Sequence, residues 1–278
     1  MDWSKTKTIF IIVFSILNVF LYSLYVNRYN EAQEVEPLAA ETTIEARLND
    51  ENITVKSLPQ KKEKVSYISG QIKQFNIEEL KKVYDNQYFD TNGSLLTSKF
   101  ENPVPLKSIK DASSLTEFMK KNVYAGETYK LWYIDEEKRE ATFFQKSNDR
   151  MIYINQNAVV KLHWDKDFAV TGYKQTMFDS LAAFGEKSTL LTALEAIKVL
   201  YEKGFLKQDS KITKPQLGYS TLVPLTKTQV LAPTWHIHVD FVEGDEADYF
   251  VNAVDGQVIN IHLNGEELKD NEWGRIRS

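Results

Sequence analysis

Residues Thr128–Phe178 read TYKLWYIDEEKREATFFQKSNDRMIYINQNAVVKLHWDKDFAVTGYKQTMF. Apolar and β-branched residues come in short runs, Thr128–Asp135, Arg139–Lys146, Met151–Asn155, Ala158–Trp164 and Phe168–Phe178, parted by the polar breaks EEK, SND and DKD. Connections this short return a strand beside its predecessor in the opposite direction, so the segment predicts an antiparallel meander. Its aromatics, Tyr129, Trp132, Tyr133, Phe143, Phe144, Tyr153 and Trp164, suit a core and cross-strand pairs better than a ligand platform.

A helical period lies on either side of the meander. Ser114–Val123 repeats Leu115, Phe118, Met119 and Val123 on one face. Leu190–Lys203 carries Leu191, Leu194, Ile197, Val199 and Leu200, with Ser188 and Thr189 near its start and Gly204 as its stop. Farther out come strand-like runs at Ile212–Val223 and Val230–Phe241, then Tyr249–Val254 and Gln257–Leu263 as a hairpin around Asp255-Gly256. Upstream, Glu41–Asn49 reads as a helix, and Asn52–Leu58 with Val65–Phe75 as a hairpin. Asn76-x-x-Glu79 opens another helix, DTNG at 90–93 marks a turn, and a strand from Ser94 runs to the interrupting Pro103 and Pro105. The expected fold class is therefore α+β, in two halves of a helix plus an antiparallel sheet. Their expected boundary, near Ala183–Lys187, separates a domain of residues 41–184 from one of residues 185–278.

The amino-terminal segment has a different character. Ile9–Val26, IFIIVFSILNVFLYSLYV, is eighteen residues without a charge, a helix of roughly 27 Å against a hydrocarbon core of ~30 Å. It is longer than the apolar core of a cleaved signal peptide, and no small-x-small site follows it, so an uncleaved transmembrane anchor over residues 9–27 is expected. Trp3 before the run and Tyr22, Tyr25 and Tyr29 towards its far end suit interfacial belts. Lys5 and Lys7 against Arg28, with a short leading segment and a long following one, predict a cytoplasmic tail at 1–8, a linker at 28–40 and an extracytoplasmic remainder. Within the span Ser15, Asn18, Tyr22 and Tyr25 are spaced 3, 4 and 3, which places them on one helical face. These four are the candidate partner-binding residues, because an amide in hydrocarbon finds its hydrogen bonds on another helix.

Composition narrows the function classes. With 42% hydrophobic and 26% charged residues the chain is of ordinary globular make-up. Beyond Arg28 it holds 31 basic and 38 acidic residues, a balance that repels a phosphate backbone, so nucleic acid is excluded as a partner. The absence of cysteine removes disulfides, thiol catalysis and cysteine-zinc sites.

Met1-Asp2-Trp3-Ser4-Lys5-Thr6-Lys7-Thr8-Ile9-Phe10, running directly into a single anchor with a mid-span Asn, resembles the start of the YycI (WalI) family. The resemblance implies a single-pass regulatory protein of low-GC Gram-positive bacteria. It implies association with a sister protein, YycH (WalH), and with the sensor histidine kinase YycG (WalK) of the YycG/YycF (WalK/WalR) two-component system of the cell wall. A second resemblance lies at the other end of the chain. Trp235-x-Ile237-x-Val239 after a helix, then Asp248-Tyr249-Phe250-Val251-Asn252-Ala253-x-Asp255-Gly256-Gln257-Val258, is similar to a PepSY-like module, which implies an extracytoplasmic binding or regulatory unit.

Chemistry-bearing patterns are sparse. His236 and His238 with Asp240 share one face of a strand and are capable of ligating a metal. The opposite face carries Trp235, Ile237, Val239 and Phe241, so the sequence reads them as the outward half of an alternating strand, with no metal expected. His163 and His262 read as surface or cross-strand histidines, and Asp165 with Asp167, and Glu243, Asp245, Glu246 and Asp248, as solvated acidic turns. No hydrolase, zincin, phosphate-loop or dinucleotide motif is present, so no catalytic residue and no cofactor is expected. The expected function is a non-enzymatic membrane regulator of a sensor histidine kinase. A PepSY-like binder or protease inhibitor is the first alternative and a cell-wall enzyme the second.

Overall fold

The computed structural model of the protein describes residues 3–33, 43–59, 62–213, 215–221 and 227–259. The chain divides into two compact units, Met1–Arg47 and Leu48–Ser278. The first is built on helix α1 (Trp3–Gln33), which runs without interruption through residues 28–33, where the sequence reads as linker. Its described side chains from Phe10 to Leu24 are all exposed, with Ile11 at 65% and Val19 at 69%. That described stretch rises about 22 Å, and among the described residues no helix is long and apolar enough to cross a membrane. Residues 34–40 of the expected linker, and residues 41–42 after it, lie outside the described residues. Helix α2 (Ile44–Asp50) follows.

The second unit begins with β1 (Thr54–Val55), β2 (Lys64–Ile72), α3 (Ile77–Val83), β3 (Gln87–Asn92), β4 (Leu95–Pro105) and α4 (Ala112–Asn122). It continues with β5 (Tyr129–Asp135), β6 (Glu140–Ser147), β7 (Arg150–Met151), β8 (Val159–Trp164), β9 (Ala169–Gln175), β10 (Phe178–Thr189) and α5 (Ala193–Glu202). It ends with β11 (Lys211–Ile212), β12 (Gln216–Thr221), β13 (Thr228–Asp240), β14 (Glu246–Asn252) and β15 (Val258–Ile259). The architecture is α+β, with two largely antiparallel sheets.

The first sheet has the order β3-β4-β9-β8-β6-β5, with β7 on β6. It contains the expected meander, since β5 pairs with β6, β6 with β8, and β8 with β9, all antiparallel. Helix α4 packs against it because Asp111 caps the first turn by accepting from the Ser113 N–H (2.9 Å) and Leu115, Phe118 and Met119 then fall on one buried face. Those side chains share a core with Leu96, Phe100, Phe143, Val160, Leu162 and Tyr173.

Two local expectations change. The run Met151–Asn155 leaves the ladder after Met151: Ile152 bridges in parallel to Tyr219, and Ile154 takes a left-handed conformation (φ 43°) that a β-branched residue adopts only under tertiary constraint. Strand β4 also continues through Pro103 and Pro105, because a register irregularity between Lys99 and Val104 takes Pro103 out of the ladder it has no N–H to join.

The second sheet is organised on β13. Its flanks take β12, from Gln216↔His236 to Thr221↔Leu231, and β14, from Thr234↔Asn252 to Asp240↔Glu246. Its first residues pair with β2, and β10 pairs with β2 in turn. β11 pairs with the end of β13, β1 joins β11 in parallel, and β15 pairs with β14 beyond Gly256 (φ 74°). The expected hairpin of Asn52–Leu58 with Val65–Phe75 is thus not formed: β1 and β2 find their partners far along the chain. Helix α5 packs on β13, with Ala193, Ala196, Ile197 and Leu200 buried. It opens at Thr192 rather than at Ser188 or Thr189, because β10 still carries Thr189 against Lys64. Sheet membership does not change at residues 184/185, since β1, β2 and β10 all belong to the second sheet.

Candidate functional site

Two regions carry polar groups that packing alone does not explain. The first is α1, where the backbone is helical through Ser15, Asn18, Tyr22 and Tyr25, so their spacing does set them on one face. Ser15, Asn18 and Tyr22 are exposed there, while the side chain of Tyr25 lies outside the described residues. Around them the described apolar side chains of α1 are exposed as well.

The second region follows from the register of β13 and β14. Antiparallel pairing sets His236 opposite Phe250, His238 opposite Asp248, and Asp240 opposite Glu246. Because side chains alternate along a strand, all six project from the same face. Asp248 Oδ1 lies 2.7 Å from His236 Nε2 and 2.8 Å from His238 Nδ1, so one carboxylate oxygen holds both imidazoles. The other ring nitrogen of His238, Nε2, lies 3.0 Å from Asp240 Oδ1 and 3.7 Å from Glu246 Oε2. Burial works to raise the Asp248 carboxyl, but the interactions with His236 and His238, their hydrogen bonds first, outweigh it and hold it well below the usual carboxylate range.

At His236 this face is covered rather than solvated, which corrects the sequence expectation of an outward histidine row, while Asp240 and Glu246 at its far end stay partly exposed. His236 is buried among aromatic rings, stacked on Phe250 (5.2 Å, 25°) and near Trp132 (5.0 Å) and Tyr153 (5.4 Å). Trp132 and Tyr153 come from the first sheet and its following loop, so the cluster seals a seam between the two sheets. Tyr153 also donates its N–H to Tyr219 O (2.8 Å) and its hydroxyl to Gln216 O (3.0 Å), and Asn155 Nδ2 donates to Gln229 Oε1 (3.1 Å). Beside the seam opens a groove of about 380 Å³, bordered by Glu63, Lys130, Arg150, Gln216, Leu217 and Trp235, with Arg150 and Glu63 ion-paired.

The remaining sequence candidates are structural. His163 faces Glu140 across the β6–β8 ladder at 3.7 Å, and burial lowers its pKa. Asp165 Oδ1 accepts the N–H groups of Asp167 (2.9 Å) and Ala169 (3.0 Å) and so closes a turn. His262 lies outside the described residues. Glu246 and Asp248, read from the sequence as part of an acidic turn, stand on β14, and the turn is confined to residues 241–245. Their role has a faint sequence signal: His-x-His-x-Asp and Glu-x-Asp-x-Phe alternate alike on either side of a five-residue loop, and pairing across that loop superimposes them.

Comparison with known proteins places the chain in a family. A search of the curated proteins found no match. The chain is similar in structure to an uncharacterized protein from Eubacterium rectale (TM-score 0.47, 11% identity, covering 76% of this chain and 91% of that one). It is also similar to YycH from Bacillus subtilis (0.43, 14%, 75% and 62%) and to the Bacillus megaterium YpeB C-terminal domain (0.40, 14%, 81% and 98%). The YycI protein family model matches residues 33–254, from the end of α1 through the seam to the end of β14, and the chain belongs to the YycI family.

Proposed function

We propose that this chain is a membrane-anchored accessory regulator of a YycG (WalK)-like sensor histidine kinase, acting beside a YycH (WalH)-like sister protein in cell-wall homeostasis. Membership of the YycI family is the observation that carries the reading. In this reading the run Ile9–Val26 is the anchor, residues 1–8 are cytoplasmic and the residues from 41 onward are extracytoplasmic. The exposed apolar side chains of α1 support it, since such a surface is stable in lipid or against another helix and not in water.

Ser15, Asn18, Tyr22 and Tyr25 then form the intramembrane contact. An Asn paired across helices contributes about 0.6–2 kcal/mol, roughly three- to thirty-fold in affinity. Regulation follows if the chain binds two kinase states with different affinity, because only that difference shifts their populations. No catalytic step is required.

The test is crosslinking of the full-length chain in native membranes with identification of the partners, together with kinase phosphorylation measured with and without the chain. Recovery of a sensor kinase and a sister protein is expected, with Asn18→Leu reducing their co-purification several-fold at unchanged expression. Equal kinase output with and without the chain would overturn the proposal. The groove beside Lys130 and Arg150 favours one second reading, a PepSY-like binder of an extended acidic segment. Capture of a secreted protease or peptide, abolished by reversing the charge of Lys130 and Arg150 and indifferent to Asn18→Leu, would support that instead.

A further inference from the structure

The imidazole of His238 is set among three carboxylates, with Asp248 at Nδ1 and Asp240 and Glu246 at Nε2. A neutral imidazole has one N–H to donate, so a ring whose two nitrogens both face carboxylates satisfies both sides only with a second proton or with a cation at one nitrogen. The spacing suits a cation. Two ligand atoms held about 2.0–2.1 Å from a tetrahedral Zn²⁺ lie roughly 3.3 Å from each other. The separations of His238 Nε2 from Asp240 and Glu246, 3.0 and 3.7 Å, bracket that value.

We propose that His238 Nε2, Asp240 and Glu246 form a zinc-binding site at the turn end of the β13–β14 pair. These three residues bring one ligand atom each to within 4.8 Å of one another. Exposure grades across them: the His238 side chain is 14% accessible, Glu246 35% and Asp240 40%. The ion thus enters from solvent, and a fourth position is left to water or to a partner's side chain. Imidazole nitrogen among the ligands selects Zn²⁺ over Ca²⁺ and Mg²⁺, which take oxygen.

Asp248 supplies the outer support. By accepting the Nδ1 proton of His238 it leaves the Nε2 lone pair for the metal, the carboxylate–histidine–zinc relay in which the outer carboxylate fixes the tautomer and the ring plane. The same oxygen faces His236 Nε2, and His236 is packed within the Trp132, Tyr153 and Phe250 rings. Zinc occupancy therefore bears on the seam between the sheets, and an arriving ion releases any proton that it displaces from Nε2. The site is independent of the anchor and of the kinase reading.

The experiment uses the full-length chain in detergent micelles, stripped with a chelator and titrated calorimetrically with Zn²⁺, with bound metal counted by elemental analysis. One zinc per chain is expected, undisplaced by excess Ca²⁺ or Mg²⁺, with a raised melting temperature. Asp240→Asn and Glu246→Gln each weaken binding tenfold or more, His238→Ala abolishes it, and Asp248→Asn weakens it by roughly 10–100-fold through the lost orienting bond. His163→Ala leaves it unchanged. Folding of every variant is checked without metal by circular dichroism. Sub-stoichiometric zinc in the wild-type chain would overturn the proposal, as would undiminished affinity in folded Asp240→Asn and Glu246→Gln, or equal competition by Ca²⁺.

Discussion

Gly218 has no room for a methyl group. A Cβ there would come within 2.4 Å of Met151 O and 2.4 Å of the Tyr153 ring, the point where β12 of one sheet touches the chain leaving the other. The backbone oxygen cannot withdraw without moving β7, and the ring is held by its own hydrogen bond to Gln216 O. Gly218→Ala is therefore expected to destabilise by about 1–3 kcal/mol, in the range of core overpacking. Urea denaturation measures it, and an unchanged midpoint would mean that the two sheets separate at no cost. Asp248 shows why such residues are hard to find beforehand. Its two histidines are visible as an alternating pair, but the carboxylate that joins them lies ten and twelve residues away, and only the antiparallel register brings it opposite. Composition and alternation describe a face; the partner strand decides whether water or protein covers it.

At the scale of elements, α5 depends on a short motif at its start. Thr192 accepts the Glu195 N–H (3.2 Å), and Glu195 in return accepts the Thr192 N–H (2.6 Å), a reciprocal capping box. Thr192→Ala is expected to lower stability by about 1 kcal/mol. The hydrogen bond from the Thr192 N–H is the largest of the effects that lower the Glu195 pKa. A carboxyl depressed on folding stabilises at pH above its unfolded value, and that contribution disappears as pH falls through the folded value. Glu195→Gln keeps an acceptor for the Thr192 N–H but loses the charge. The stability gap between it and the wild type should thus be widest at neutral pH and narrow under acid. Denaturation series run from neutral to acidic pH test this, and a gap of constant size would refute the assignment. The motif Thr-x-x-Glu was present in the sequence, yet Ser188 and Thr189 compete for the same reading. They are excluded only because β10 uses them as strand. Asn52–Leu58 failed for a related reason. Adjacent strand-like runs are expected to pair with each other, whereas β2 pairs with β10 and β13 more than a hundred residues on, which no local pattern encodes.

For the molecule as a whole, helix-plus-sheet organisation was readable because each helical period adjoins a run of alternating residues, and a meander needs only short turns. What could not be read is that β1, β2 and β10 belong to the second sheet, so that sheet is assembled from segments on both sides of the contiguous stretch that forms the first. That interleaving has a mechanical consequence. Unfolding of either sheet must disturb the other, both because the first sheet's stretch of chain is inserted between the paired strands β2 and β10 of the second and through the Trp132, Tyr153, His236 and Phe250 seam. The residues from Leu48 onward should accordingly melt as one cooperative transition. Trp132→Ala is the test, because it removes a ring that belongs to the first sheet and packs on the second. Partial exposure places the expected loss below that of a fully buried Trp, at about 2–3 kcal/mol. Hydrogen exchange should quicken together in β6 and β13, on either side of the vacated ring. Two separate transitions, or faster exchange confined to β5 and β6, would show instead that the sheets unfold independently and that the seam joins two autonomous bodies.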